Sequence, residues 1–333
     1  MRAIAIWFPL IYAAEPVAAA DDLKYFSISA PFEVGEIGVT PGGITVSSRD
    51  GRYFLLENPL SSPDFIALPT KDQSRLPGGA LPDGVVTTGN KGGWKAWLTG
   101  PTKRYDHSVL GDGIEASGFR VQTGRGQYRD LELPPEHVFE DRMVRFLDLD
   151  QDGTPELVSI KSGFDGGARI SAYTIDNDKV ILKAESDPVG QSYRWLNIVS
   201  AADFDGDGQV EIAAVITPHL GAVLRLFRLA KNRLVPVAEV QGFSNHGIGM
   251  RSMGLSAVLD VNDDGIKDIV LPDAQRSTLR IVTFAGGIFR ELYRFPMRGN
   301  ITGNMVIHNG PSAVQILFPL NHDRIGVVRL PSP

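Results

Sequence analysis

The sequence predicts an all-β fold built from repeats, and three observations support this prediction. Three acidic segments share one spacing and begin at Asp148, Asp203 and Asp260, which places them 55 and 57 residues apart. A period of about 50 residues is typical of a propeller or of another repeat array. The chain has 36 glycines and 22 prolines among 333 residues, and no long stretch has a helical apolar period. Each acidic segment also runs directly into apolar residues typical of a strand.

Each acidic segment has the residue types of a calcium-binding loop. Oxygen-bearing side chains stand at positions 1, 3, 5 and 9, and glycine stands at position 6. Such ligands bind hard cations, above all Ca²⁺, and glycine permits the sharp turn that returns the ninth residue to the ion. The predicted metal ligands are Asp148, Asp150, Asp152 and Glu156; Asp203, Asp205, Asp207 and Glu211; and Asp260, Asn262, Asp264 and Asp268. About three structural Ca²⁺ ions are therefore expected.

The loops differ from an EF-hand at the twelfth position. An EF-hand has a bidentate glutamate there, whereas this chain has Ser159, Ala214 and Leu271. The flanking residues alternate or run apolar as in strands, without a helical period. A single loop of this kind also fits an acidic, solvated turn, but three loops in one register favour metal binding at the turns of β-hairpins.

The spacing D-x-D-x-D-G-x-x-D/E resembles the FG-GAP/VCBS repeats of β-propellers, such as the head of integrin α-chains. This resemblance implies a β-propeller with its calcium loops on one face. Weaker copies of the repeat occur at residues 48–56, 105–116 and 307–319, where most of the acidic residues are missing. Together the copies predict six blades of about 50 residues, with seven blades as the alternative.

The two ends of the chain are expected to meet in the last blade. The segment 324–330 stops after a third strand, and residues 24–30 have a strand pattern without a blade of their own. We therefore expect the N-terminal strand to complete the last blade, because closure protects strand edges that would otherwise aggregate. Residues 21–333 are predicted to form one β-propeller domain.

The first 20 residues have the features of a signal peptide. Met1-Arg2 is a minimal basic start, residues 3–14 form an apolar run too short to cross a bilayer, and Ala18-Ala19-Ala20 fits a cleavage site. The mature protein is therefore expected to be exported, to the periplasm or the extracellular space. The chain has no cysteine, which excludes disulfides and a lipid anchor on cysteine.

Four cations share one repeat position, nine residues before the first loop aspartate or its aligned equivalent. They are Lys103, Arg194, Arg251 and Arg298. Equivalent positions of a closed propeller form a ring, and the resemblance places that ring opposite the calcium loops. We expect the ring to bind an acidic glycan or an acidic protein surface, since arginine pairs carboxylates and sulfates through its planar fork. The alternative is that these cations cap strands or pair with Asp106 and Asp141.

The charge of the chain argues against nucleic acid as a partner. The formal net charge is −6, and three Ca²⁺ ions would bring it to about zero. The sequence has no transmembrane segment. The mildly basic surface outside the loops is compatible with an anionic partner.

The sequence favours a binding module over an enzyme. Its six histidines are scattered, with no zinc-binding spacing, and no nucleophile or phosphate-loop motif is present. We expect a protein or glycan recognition module with structural calcium. The alternative is a secreted polysaccharide lyase or hydrolase, in which His107, His246 and Arg251 meet near the propeller axis. A Tyr/His/Arg cluster would favour the enzyme, and a flat apolar-aromatic face would favour a protein partner.

Overall fold

The computed structural model describes residues 23–69, 75–89, 93–124 and 126–331. These residues form 25 strands, and Ala285–Gly287 is the one short 3-10 turn among them. The predicted all-β fold is confirmed. The predicted signal peptide, residues 1–20, lies outside the described residues. In the described part of the chain, no helix has the length and apolar character needed to cross a membrane.

The described strands pair in six consecutive antiparallel groups, here called meanders 1 to 6. Meander 1 contains β2 (Val34–Thr40), β3 (Gly43–Ser48), β4 (Tyr53–Glu57) and β5 (Asp64–Leu68). Meander 2 contains β6 (Thr87–Thr88), β7 (Lys95–Thr102), β8 (Glu115–Gln122) and β9 (Tyr128–Glu132). Meander 3 contains β10 (His137–Phe139), β11 (Arg145–Leu147), β12 (Glu156–Gly163), β13 (Arg169–Asp176) and β14 (Lys179–Ser186).

The second half of the chain repeats the arrangement. Meander 4 contains β15 (Leu196–Ala202), β16 (Glu211–Ile216), β17 (Val223–Ala230) and β18 (Arg233–Gln241). Meander 5 contains β19 (Ala257–Leu259), β20 (Asp268–Pro272), β21 (Thr278–Thr283) and β22 (Arg290–Pro296). Meander 6 contains β23 (Val306–Asn309), β24 (Ala313–Pro319), β25 (Arg324–Pro331) and the N-terminal β1 (Lys24–Ser29).

The N-terminal strand β1 is an edge strand of meander 6. It pairs antiparallel with β25 from Lys24 opposite Arg329 to Ser29 opposite Arg324. This pairing is the one expected from the sequence between the first and last strands. Six blades and closure of the meanders into a ring stay predictions.

The apolar runs after the acidic loops form the most buried strands. Every residue of β12, β16 and β20 is buried. The last strand of a meander instead alternates, as β18 does between buried Leu234 and exposed neighbours. Strands with two covered faces need continuous apolar sequence, whereas a strand with one wet face alternates.

Side chains from neighbouring meanders pack together to form the core. Clusters of buried apolar residues join meanders 2 and 3, 3 and 4, 4 and 5, and 5 and 6. A fifth cluster joins meanders 6 and 1, where Val327 and Ile325 pack with Val46 and Ile37. Among the described residues, no such cluster joins meanders 1 and 2. Each meander therefore buries its faces mainly against its neighbours in sequence, as repeat architectures do.

Candidate functional site

The three acidic loops join the first and second strands of meanders 3, 4 and 5. In each loop the ninth residue begins the second strand and pairs with the last residue of the first: Glu156 with Leu147, Glu211 with Ala202, and Asp268 with Leu259. The structure thus places the predicted loops at hairpin turns, as expected from the sequence.

The three loops share one hydrogen-bond pattern. The first aspartate accepts the backbone N–H of the sixth-position glycine at 3.0 Å in Asp148, 2.9 Å in Asp203 and 2.8 Å in Asp260. The ninth carboxylate accepts the backbone N–H of the second residue at 2.8, 3.0 and 2.8 Å. The glycines have φ of 80°, 87° and 84°, a conformation that residues with a side chain rarely adopt. This shared pattern is set by local turn chemistry.

In the first loop a lysine lies among the predicted metal ligands. The ammonium nitrogen of Lys183, on β14, lies 2.5 Å from Asp150 Oδ2 and 2.6 Å from Glu156 Oε1. Burial raises the pKa of Glu156, and the Lys183 ammonium opposes this shift. Asp152 stays exposed at the loop tip and accepts the backbone N–H of Thr154 at 2.6 Å.

In the second loop an arginine has the same position. Arg228, on β17, pairs with Asp205 at 2.9 Å, with Asp207 at 3.0 Å and with Glu211. Burial raises the pKa of Glu211, and Arg228 works in the opposite direction. Three of the four predicted ligands of this loop thus contact one guanidinium.

The third loop has no such cation among the described residues. Asn262 donates to Asp264 at 2.9 Å. The Asp268 side chain is fully buried, and its Oδ1 has no hydrogen-bond partner within the described chain. Burial, together with the Asp260 and Asp264 carboxylates, raises the pKa of Asp268 to about 6. This carboxylate is the one whose charge is least compensated.

The loops fit a hard cation to different degrees. Carboxylate oxygens of Asp148, Asp150 and Glu156, and of Asp203, Asp205 and Glu211, each lie within 4.8 Å of one another. In both cases an internal cation already contacts these oxygens. In the third loop the orphaned Asp268 oxygen is the feature that fits a missing cation, because a buried polar atom without a partner is costly. A bound Ca²⁺ would supply positive charge and cross-link the loop.

The four predicted ring cations have different surroundings. Arg251 pairs with Asp112 at 3.1 Å and approaches Asp83 at 3.8 Å. Arg194 lines a cavity and has no ion-pair partner among the described residues. Lys103 and Arg298 are exposed. The structure records no contact among the four, and their shared role in binding stays a prediction.

The cavity that Arg194 lines lies at the strand ends opposite the acidic loops. Its volume is about 320 Å³. Its walls come from connections between second and third strands and between successive meanders, which an antiparallel meander places away from the first hairpin turn. The lining residues are His107, Ser108, Val109, Tyr193, Arg194, Trp195, Thr217, His219, Leu220 and Ile248.

Two histidines from different meanders form a hydrogen-bonded pair at this cavity. His219 Nε2 lies 2.9 Å from His246 Nδ1, and His246 Nε2 lies 2.8 Å from the carbonyl oxygen of Met250. Burial, helped by the positive charges of Arg276 and His107, lowers the pKa of His219 to about 4. Burial, with His219 as the next cause, lowers the pKa of His246 to about 3. Both imidazoles are therefore neutral at pH 7.

A third histidine at the cavity pairs with a buried carboxylate. His107 Nδ1 lies 2.5 Å from Oε1 of Glu140, whose other oxygen accepts the Ser162 hydroxyl at 2.6 Å. Tyr105 is buried beside His107, and its hydroxyl accepts the Tyr193 backbone N–H at 2.7 Å. Burial raises the pKa of Tyr105 to about 12. The expected meeting of His107, His246 and Arg251 is replaced by two separate histidine contacts.

Four exposed apolar side chains surround the cavity, and we call them the aromatic face. They are Phe164, 52% exposed, Tyr193, 45%, Leu220, 68%, and Ile248, 73%. Phe164 and Tyr193 contact each other edge to face with ring centroids 5.8 Å apart. Large exposed apolar patches on soluble proteins mark interaction sites.

Sequence comparison identifies one repeat of the chain. The family model of the FG-GAP-like repeat matches residues 148–214. This segment is an FG-GAP-like repeat. It extends from the first acidic loop through the second loop into β16, so the resemblance carried by the acidic spacing is confirmed there. No curated protein sequence matches the chain significantly.

Two solved structures are similar to the chain at low identity. Both are crystal structures of BBS1N in complex with ARL6DN, one soaked with mercury and one with lead. The first has 12% identity and a TM-score of 0.42, and covers 86% of this chain and 75% of its own. The second has 10% identity and a TM-score of 0.44, with coverages of 92% and 78%. At these scores the likeness carries no inference about this chain.

The cavity was missed by sequence reasoning because no local motif marks it. His107, His219 and His246 lie in three different connections, and their neighbours along the chain have no common pattern. The one available signal was the pair Arg194 and Trp195, where the repeat position of Arg194 had been singled out. Lys183 and Arg228 were also missed, since they lie on strands outside the acidic motif.

Proposed function

We propose that this protein is a closed, six-bladed β-propeller that recognises a partner protein through its aromatic face. The FG-GAP-like repeat, the six meanders and the pairing of β1 with β25 support the propeller. The leader-like residues 1–20 support export to the periplasm or the extracellular space. In this proposal the FG-GAP-like loops have a structural role.

Calcium binding at the acidic loops is part of the proposal. The three loops present the ligand pattern of a calcium cage, and two of them gather carboxylate oxygens within 4.8 Å. Extracellular calcium at millimolar concentration suits loops of modest affinity. The ions would hold hairpin turns on the face opposite the aromatic face, so they would stabilise the blades without touching the partner.

One observation carries the proposal of recognition. Phe164, Tyr193, Leu220 and Ile248 are exposed around a single cavity. Exposing these side chains to water costs free energy, which burial in an interface of apolar core and polar rim would recover. Aliphatic Leu220 and Ile248 favour a protein partner over a glycan, because sugars require many hydrogen-bonding groups.

The test is partner capture by the full mature chain and by matched surface variants. Leu220→Ser combined with Ile248→Ser should abolish capture while leaving the melting temperature near that of the parent. The control is Ile181→Ser combined with Leu182→Ser, since these side chains are 42% and 50% exposed on β14 outside the aromatic face. Capture that survives the first double variant but not the second would place the interface elsewhere.

An acidic partner is the variant of this proposal that the cations support. Arg194 has no ion-pair partner among the described residues and lies in the wall of the cavity. An acidic protein surface or an acidic glycan would complete its charge. Binding that weakens steeply with salt would support this variant, because the Debye length is about 8 Å at physiological ionic strength.

A polysaccharide lyase or hydrolase is the second candidate, and the pair His107–Glu140 favours it. A buried carboxylate that orients one imidazole nitrogen leaves the other available as a general base. Tyr105, the nearest tyrosine hydroxyl, is buried and bonded to the Tyr193 N–H. Incubation with pectic and other acidic polysaccharides, followed by detection of new reducing ends or unsaturated products, tests this candidate. Activity that disappears in His107→Gln would establish it.

A further inference from the structure

The cavity at the aromatic face is large enough for one ring-shaped group. Its volume of about 320 Å³ lies at the lower end of the range of about 300–1,000 Å³ found for ligand pockets. Val109, Trp195, Leu220 and Ile248 make most of its wall apolar. An occupant must therefore be largely apolar itself, because polar groups placed against such walls lose their hydrogen bonds to water.

The histidine pair offers the cavity one hydrogen-bond acceptor, by a chain of contacts that fixes both tautomers. The Met250 carbonyl can only accept, so His246 Nε2 carries a hydrogen and donates it. In the neutral ring His246 Nδ1 is then an acceptor, and His219 Nε2 must carry the hydrogen between the two rings. His219 Nδ1 is left with its lone pair free. It has no hydrogen-bond partner among the described residues.

Backbone strain is concentrated at the same wall. Ser108, Tyr193 and Thr217 all line the cavity and have φ of 56°, 59° and 45°. Residues other than glycine are uncommon in this conformation, and a β-branched residue such as Thr217 is especially so. Strain of this kind persists where the surroundings enforce it, and it gathers at ligand sites. The wall is thus held in a costly shape independently of the histidine contacts.

We propose that this cavity receives a tyrosine side chain of the partner protein. Its phenol ring would pack among Tyr193, Trp195 and Ile248, and its hydroxyl would donate to the free Nδ1 of His219. This inference rests on the proposed recognition of a protein through the aromatic face, and it adds the identity of the residue that anchors the complex. Tyrosine is enriched among the few residues that dominate binding energy at interfaces.

The alternatives fit the cavity less well. A phenylalanine would fill the apolar walls but leave the His219 lone pair without a donor, and burying an unpaired acceptor is costly. A sugar ring would bring several hydroxyls to walls that offer few partners. A single ring with one donor matches both the apolar lining and the one free acceptor.

The experiment compares two amino-acid amides that differ by one hydroxyl. N-acetyl-L-tyrosinamide and N-acetyl-L-phenylalaninamide are titrated separately against the full mature chain, and dissociation constants are read from ligand-observed NMR. We expect the phenylalanine amide to bind roughly three- to tenfold more weakly, as expected for loss of one hydrogen bond. In His219→Phe, which retains an aromatic ring but has no acceptor, the two amides should bind equally.

A second variant keeps the test decisive where His219→Phe perturbs folding. Ile248→Asp places a charge on an exposed wall residue and should abolish binding of both amides without a change in melting temperature. Equal affinities of the two amides for the parent chain would overturn the proposal. Tighter binding of glucuronate than of the tyrosine amide would overturn it too, and would assign the cavity to an acidic sugar.

The outcomes also separate this inference from the proposed function. If neither amide binds, while partner capture still disappears in Leu220→Ser with Ile248→Ser, the tyrosine anchor is wrong and the recognition face stands. If the tyrosine amide binds selectively but the same double variant captures its partner normally, the cavity holds a ligand and the interface lies on another surface.

Discussion

The ammonium nitrogen of Lys183 lies 2.6 Å from Oε1 of Glu156, a carboxylate that the sequence assigns to calcium. Glu156 is buried, so its charge depends on a nearby cation. Arg228 has the same relationship to Glu211 in the next meander. The first two acidic loops thus contain an internal positive charge, and the third does not.

The lysine contact predicts how the first loop responds to calcium. In a chelator, Lys183→Met should lower the free energy of unfolding by about 3 kcal/mol, the cost of leaving a buried charge without its partner. Excess Ca²⁺ should restore part of this loss, because the ion can replace the ammonium among Asp148, Asp150 and Glu156. Denaturant unfolding with and without calcium measures both effects. Lys179→Met, an exposed lysine on the same strand, is the control and should be nearly neutral. Equal losses with and without calcium would contradict the exchange.

The third loop is expected to dominate the calcium dependence of stability. Asp268→Asn should stabilise the protein in a chelator, because it removes a buried charge whose oxygen has no partner. In calcium the same variant should be less stable than the parent, by about 2.7 kcal/mol for one site at a hundredfold excess of ion over its dissociation constant. Thermal melting in the two buffers shows the change of sign. A variant that is destabilised equally in both would mean that Asp268 is a structural carboxylate only.

The pairing of β1 with β25 predicts the effect of an N-terminal deletion. Removing residues 21–32 exposes the edge of β25 and the apolar side chains of the cluster that contains Ile325 and Val327. The protein should aggregate or melt early, because an unpaired strand edge templates association. Size-exclusion chromatography and thermal melting measure this. A chain that begins at residue 21 is the control, and equal behaviour of the two would show that β1 contributes nothing.

The buried histidine pair predicts a loss of stability in mild acid. The pKa of His246 falls to about 3 in the folded state, below its ordinary value of 6.5. Between those values the unfolded chain binds a proton that the folded chain excludes, so stability falls as pH decreases below about 6.5. From pH 6.5 to pH 5 the loss should reach about 2 kcal/mol. His246→Gln should flatten this part of the pH profile in denaturant unfolding, whereas His322→Asn, on an exposed turn, should leave it unchanged.

The predicted cation ring gives a test of anionic binding. Arg194→Ala combined with Arg251→Ala should weaken binding of an acidic glycan or acidic protein surface most strongly at low salt. Stability should change by less than about 1 kcal/mol, since the Arg251 side chain is 55% exposed and its pairs are solvated. Binding isotherms at several salt concentrations and a melting curve measure the two effects. Unchanged binding would leave these arginines with only their local contacts.

The sequence by itself determined the repeat, the strands and the turns. The position-1 aspartates and position-6 glycines act within nine residues, so their hydrogen bonds follow from local chemistry wherever the motif occurs. The apolar runs that follow them predicted the buried strands β12, β16 and β20 for the same reason. The pairing of β1 with β25 was also predictable, because one end of the chain lacked a strand that the other end supplied.

Only the tertiary structure decided the charges inside the loops and the shape of the cavity. Lys183 lies 27 residues after Glu156, and Arg228 lies 17 residues after Glu211, on strands whose registers bring each cation to its carboxylate. His107, His219 and His246 come from separate connections and meet only because the meanders pack side by side. Contacts between side chains distant in sequence depend on register and packing, which no spacing rule within one repeat contains.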